Sequence, residues 1–413
     1  MDETEATVLP DDLVREILLR VPTDDVAALF RCAATCKQWR TVIADLSFLR
    51  HHWPENVCHL ASLLGFFDKR FHKVADSLSF FPISQGSVLG AGRRPLSSFV
   101  KSGAPPGHIL DSAVPLAARG GLLLVRLAAA RDSTHLAVCD LLTGTCDMLS
   151  LLEFRISRCA CAILAREDCC SLDGKDGRTP LAGYSTIFKV LAMVIGSNDQ
   201  DCNLYTFSSS KPEWSEPRKC FDEVWQQRNT FALRILPGTN KVTVCRGVAH
   251  WLGSYSTDQW NSPCYFTFNV NVRTGQISLT ELSIPANELD ARNCFGLMLS
   301  LTLDGRLSLF QLQKEGLRLN TWTQGNGGCW QRTRVIELKP QNQEWTPVSV
   351  AILSREKSGA LFIADVYGRV QRADPETGVM EDVTAGVFHR SLGIIPVPIE
   401  IDWPALFMSR LAV

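Results

Sequence analysis

The sequence predicts an α+β, multidomain chain: a small all-α module, then a mostly antiparallel β domain of propeller type with five or six blades. Three observations predict it. Apolar residues recur at helical spacing from Leu13 to Ile43. From Gly120 onward the chain reads as short apolar runs with two-residue alternation, broken by turn residues. The turn N/D-x-x-T-G occurs three times, at Asp140–Gly144, Asn271–Gly275 and Asp374–Gly378.

The helical module is read first. Pro10 suits a helix start, because its fixed φ fits the first turn and its missing N–H is not needed there. Asp11 and Asp12 place negative charge at the favourable end. Leu13, Ile17, Leu18 and Val21 then recur at helical spacing, with Arg15, Glu16 and Arg20 between them, and Pro22 ends the helix. Thr23 is a candidate cap for a second helix carrying Val26, Leu29, Phe30 and Ala33. A third segment carries Trp39, Val42 and Ile43. Three helices of about ten residues enclose little core. Leu9, Pro10, Leu18 and Leu29 are therefore read as more apolar surface than the unit can hide, which calls for a covering partner.

This run, Leu9-Pro10 through Ile17-Leu18, Arg20-Val21-Pro22, Leu29, Cys32, Cys36, Lys37 and Trp39, resembles the F-box over roughly residues 8–50. The resemblance implies docking onto a Skp-family adaptor and, through it, a cullin. By motif position, Leu9 and Pro10 would enter the adaptor's groove. Ile17, Leu18, Val21, Pro22, Leu29, Lys37 and Trp39 would support or form the same interface.

In the β region the clearest hairpin pattern is Phe266, Phe268, Val270, Val272, a turn, then Ile277 and Leu279. Units start near residues 119, 185, 243, 295 and 349, which suggests blades with inserted loops. Residues 57–118 and the strand-like Gly393–Ile401 are candidates for a further blade that closes the ring. An irregular pair of β-sandwiches is the competing arrangement. The expected division is 1–55 helical and adaptor-binding, 56–118 connecting or closing, and 119–413 target-recognising, with a β core independent of the helices. Leu64-Gly65-Phe66-Phe67, Arg119 to Leu124, Val138-Cys139-Asp140 with Thr143-Gly144, and Ser358 to Phe362 resemble plant F-box proteins that carry an F-box-associated, propeller-like domain. Paired kelch glycines and Trp-Asp repeats are not visible.

Composition excludes little but narrows the partners. The 413 residues are 46% apolar and 21% charged with net charge −1, so no global field favours nucleic acid or an anionic membrane. Fifteen scattered cysteines without a C-x-x-C pair, an acidic start and no N-x-S/T site fit reduced thiols in the cytoplasm or nucleus. The run Gly120–Leu127 is too short to span a bilayer. Cys159, Cys161, Cys169 and Cys170 cluster, but their spacing does not suit zinc, so no metal is expected. There is no phosphate loop, H-E-x-x-H or G-x-S-x-G. Asp199 and Asp201 read as a solvated turn, His51-His52 as an exposed helix face, and His250 as a packed strand residue. No catalytic residue and no cofactor are expected. The function expected is that of a substrate receptor of a Skp–cullin–F-box ubiquitin ligase. A propeller-fold enzyme or carbohydrate-binding protein with a helical cap is the alternative.

Overall fold

Helices form at the N-terminus as the apolar spacing requires, but their caps shift. α1 spans Asp11–Leu19, α2 Val26–Thr35, α3 Lys37–Ile43 and α4 Leu46–His52. Asp25, not Thr23, caps α2; its carboxylate accepts a hydrogen bond from the Ala28 amide at 2.9 Å. The computed structural model describes the chain apart from residues 1–8, 55–58, 60–61, 70–76, 84–86, 104, 128–134, 153–158, 166–167, 169–186, 196–201, 222–233, 236–241, 256–263, 285–288, 290–296, 303–304, 314–316, 326–327, 342–350, 355–360, 365–369, 375–376, 384–395 and 412–413.

Six sheets follow, arranged as the blades of a propeller and antiparallel apart from one short parallel pairing of Lys339–Pro340 with Val379 and Met380. Blade 1 holds Leu63–Lys69, Leu78–Pro82 and Arg94–Pro95. A short helix, α5 (Gly107–Asp111), precedes blade 2. Blade 2 holds Val114–Arg119, Leu122–Arg126, Leu136–Asp140 and Thr145–Met148. Blade 3 holds Cys159–Ala165, Phe188–Ile195, Cys202–Ser208 and Lys211–Trp214. Blade 4 is built on Val248–Tyr255, paired with both Arg234–Ile235 and Thr243–Cys245, then Cys264–Asn271 and Ile277–Glu281. Blade 5 holds Leu297–Leu301, Leu307–Gln313, Arg318–Gln324 and Trp330–Glu337. Blade 6 holds Ala351–Ser354, Leu361–Ala364, Val370–Ala373 and Val379–Asp382.

The ring closes through the segment after blade 6. Val397–Glu400 pairs antiparallel with Leu63–Phe67 and supplies the first strand of blade 1. Phe66 of blade 1 meets Phe362 of blade 6 edge-on at 5.5 Å between ring centroids. Strand pairing and packing thus seal the same seam. The blade starts expected near 243, 295 and 349 coincide with strands at Thr243, Leu297 and Ala351. The start expected near 119 falls at Val114, and the one expected near 185 falls at Cys159.

Each blade packs on both faces, and its residues alternate between two neighbours. Leu122, Leu124, Leu136 and Val138 join the core shared with blade 3, whereas Leu123, Val125, Ala137 and Cys139 face the opposite core. The three N/D-x-x-T-G turns join the third and fourth strands of blades 2, 4 and 6. In each, the Asp or Asn side-chain oxygen accepts from backbone amides of the turn: Leu142 and Thr143 on Asp140, Arg273 and Thr274 on Asn271, and Thr377 on Asp374. The closing glycines, Gly144, Gly275 and Gly378, have φ of +78°, +68° and +73°, a region that other residues enter at a cost.

Antiparallel order fixes where the ends of the chain emerge. The chain enters blade 1 at the start of its second strand and leaves at the end of its first. Both points lie at the end of the ring that carries the N/D-x-x-T-G turns. There the last of the described helices, labelled α6 (Trp403–Leu411), meets α3 and α4. The core is continuous: Leu18, Leu29, Phe48 and Trp53 of the helical module pack in one cluster with Phe67, Phe80, Leu123, Trp403 and Phe407. The expectation of a β core independent of the helices is therefore corrected. The module is too small to enclose its own aromatic residues and shares them with the ring.

Candidate functional site

The N-terminal helices present a surface of the kind the sequence anticipates, built from partly different residues. Pro10, with φ −57° and ψ 144°, stands just before α1 rather than inside its first turn. Its carbonyl accepts from the amides of Leu13 and Val14 at 3.0 and 3.1 Å. The buried stripe of α1 is Val14 and Leu18, one residue round from the stripe that Leu13 and Ile17 suggest. Leu9, Leu13 and Ile17 point outward, 46%, 47% and 42% exposed. Leu13 and Ile17, four residues apart, share one side of α1, and Leu9 lies in the segment just before the helix. Leu9, Leu13 and Ile17 thus leave large apolar side chains open to solvent at the start of the helical module.

The other expected residues divide by burial. Pro10, Pro22 and Lys37 are exposed, while Val21 and Trp39 are half-buried against the core. Leu18 and Leu29 are fully buried. Counting them as surplus surface is thus corrected: they are core, and they support the surface from behind. Leu13 takes the place they were given.

Gln38 organises the front of the surface. Its Nε2 donates to the Leu9 carbonyl at 2.5 Å and to Asp11 Oδ1 at 2.8 Å. Gln38 lies between Lys37 and Trp39, so this contact sets Leu9 and Pro10 beside the start of α3. Arg15 and Asp45 link α1 to the cap of α4 at 3.6 Å, and Trp53 Nε1 donates to the Thr23 carbonyl at 3.2 Å. The Asp45 carboxyl is held below its usual range, first by the Ser47 hydroxyl and further by the Phe48 amide and Arg15. His51 is exposed, but His52 is buried, correcting the reading of both as an exposed pair. The His52 ring stacks on Phe48 and meets Trp53 edge-on at 4.5 Å.

Elsewhere the described residues show structural chemistry. His250 is packed in its strand, with Nδ1 at 2.7 Å from Asn269 Oδ1. Cys159 and Cys161 lie side by side on one strand, with sulfurs 3.4 Å apart. Cys169, Cys170, Asp199 and Asp201 lie outside the described residues. Among the described residues, no three His, Cys, Asp or Glu side chains gather in a way that could hold a metal ion. None of the described helices is long and apolar enough to cross a membrane.

The domain model described as "F-box domain" matches residues 7–51, the segment that carries this surface. The chain carries an F-box domain. No curated protein matches the chain. Solved structures similar to it include puromycin hydrolase, 17% identical over 66% of this chain and 39% of that one, TM-score 0.38. An α-L-arabinanase of Penicillium chrysogenum is 7% identical over 65% and 80%, TM-score 0.40. Hydrazine synthase of Kuenenia stuttgartiensis is 12% identical over 72% and 70%, TM-score 0.36. The chain spans about two-fifths of the length of puromycin hydrolase.

Proposed function

We propose that the chain is the substrate-receptor subunit of a Skp–cullin–F-box ubiquitin ligase, of the plant type with an F-box-associated propeller. The observation that carries this reading is the exposure of Leu9, Leu13 and Ile17 on the F-box domain, backed by fully buried Leu18 and Leu29. An adaptor groove that takes Pro10 and these side chains removes from water the apolar surface the module leaves exposed. Pro22, Lys37 and Trp39 complete the contact, and a cullin joins through the adaptor.

The propeller then holds a target protein. The subunit does no chemistry of its own, and no cofactor enters. Tethering the target near the charged conjugating enzyme raises its effective concentration. The F-box lies at the end of the ring that carries the tight turns, which favours target contacts at the opposite end. There the second-to-third-strand connections and the links between blades emerge. The work of such a subunit lies in the cytoplasm or nucleus.

A titration with a purified Skp-family adaptor tests the assignment. Anchors at the centre of an interface cost about 2 kcal/mol or more on truncation. The double change Leu9→Ala, Pro10→Ala is expected to weaken the complex at least tenfold. Equal affinity of the two forms would remove the basis of the assignment.

A further inference from the structure

The helix that follows the closing strand has two neighbours at once. Phe407 of α6 is fully buried, stacked on Phe30 of α2 at 4.2 Å and on Trp53 at 5.5 Å between ring centroids. Trp403 and Leu406 are buried in the same cluster. Only two residues separate α6 from the strand that closes the ring. The Ile401 amide donates to the Ser62 carbonyl at 2.8 Å, and Arg410 Nη2 donates to the Leu142 carbonyl of blade 2 at 3.3 Å. The F-box core is thus completed by residues that come after all six blades in the chain.

We propose that α6 makes adaptor docking conditional on closure of the ring, with Phe407 as the positioning residue. An F-box whose Phe30 and Trp53 lack Phe407 has lost part of its core, and α1 and α3 then hold the docking surface less firmly. Strand Val397–Glu400 can bring Phe407 into place only by pairing with blade 1. A chain that has not closed its propeller would then present a poorly ordered docking surface, so unfinished receptors would be kept from the ligase. The inference rests on the receptor reading for its consequence, but not for the coupling itself.

Hydrogen exchange on the full chain, read by peptide mass spectrometry, separates the two. In Phe407→Ala, amides of residues 26–53 are expected to exchange at least tenfold faster, while those of 264–271 and 318–324 stay unchanged. Affinity for a purified Skp-family adaptor should fall several-fold, although Phe407 is buried and cannot touch the adaptor. Faster exchange confined to residues 403–411, with adaptor affinity intact, would overturn the proposal. Should Phe407→Ala unfold the chain, Phe407→Leu provides the graded version: exchange in 26–53 and adaptor affinity must shift together, and independent movement counts against coupling. Leu9→Ala, Pro10→Ala is the control, expected to lose affinity with exchange unchanged. If the unaltered chain fails to bind the adaptor, the receptor reading fails while exchange still decides the coupling.

Discussion

Gln38 holds the carbonyl of Leu9 across the face of the F-box, its Nε2 2.5 Å from the oxygen. The same amide group reaches Asp11 at 2.8 Å. One side chain of α3 therefore fixes the approach of the residues that precede α1. Order of this kind lowers the entropy lost on docking, because the apolar residues are held before a partner arrives.

The two faces of α1 should respond to substitution in opposite ways. Leu13 is half exposed and Leu18 fully buried, five residues apart on one short helix. Leu13→Ala is expected to weaken adaptor binding while leaving thermal stability nearly unchanged, as surface changes usually fall within about 0.5 kcal/mol. Leu18→Ala opens a cavity and is expected to lower stability by about 2–5 kcal/mol. Paired titrations and denaturant melts would check this; the reverse pattern would mean that α1 is turned the other way.

Removing residues 1–55 should damage the ring rather than leave it intact. Phe407 and Trp403 lose Phe30, Phe48 and Trp53, with which they share one core. The fragment is expected to bind a hydrophobic dye and to melt well below the full chain. A fragment that melts like the full chain without binding dye would show that the shared core adds little to the propeller.

What the sequence makes legible follows from how strongly local chemistry dictates each feature. The N/D-x-x-T-G turns stand out because the glycine and the capping side chain satisfy needs within five residues. Leu122 to Val125 cannot be phased, because both faces of the blade are buried and alternation vanishes. The strand Cys159–Ala165 is hidden because small residues and thiols carry a weak strand signal, and its cysteines suggest a loop instead. Leu13 is misassigned because helical spacing leaves a one-residue ambiguity in phase on so short a helix. Gln38 has no local signal at all, since its partners lie 29 and 27 residues away. α6 could have been found: Asp402 at the cap, Pro404 in the first turn and Trp403, Leu406 and Phe407 at helical spacing mark it.

Two turn glycines with nearly equal backbones provide a test of tight packing against backbone strain. Gly305 has φ +71° with open space where a Cβ would sit, whereas Gly378 has φ +73° and a Cβ there would come within 2.0 Å of the Glu337 carbonyl oxygen. Gly305→Ala is expected to cost about 1–2 kcal/mol, the left-handed penalty alone. Gly378→Ala must in addition push apart the segment that donates from the Lys339 amide to the Gly378 carbonyl at 2.8 Å. Its melting temperature should fall distinctly further than that of Gly305→Ala. Equal shifts would mean that the junction between blades 5 and 6 yields freely.

His52 should make the shared core sensitive to acid. Burial first, then repulsion from His59 and His51, lowers its pKa from 6.5 to about 4 in the folded chain. The unfolded chain takes up a proton near pH 6.5, so between these values it binds more protons than the folded chain. Stability from this residue is therefore complete above pH 6.5, declines as pH falls below that value, and is fully lost below about pH 4. In His52→Leu the side chain stays apolar at every pH. Urea unfolding of both forms at pH 7 and pH 4.5 is expected to show a smaller loss of stability in the variant. An equal loss in the two forms would mean that His52 reaches water in the folded state and takes its proton without disturbing Phe48 and Trp53.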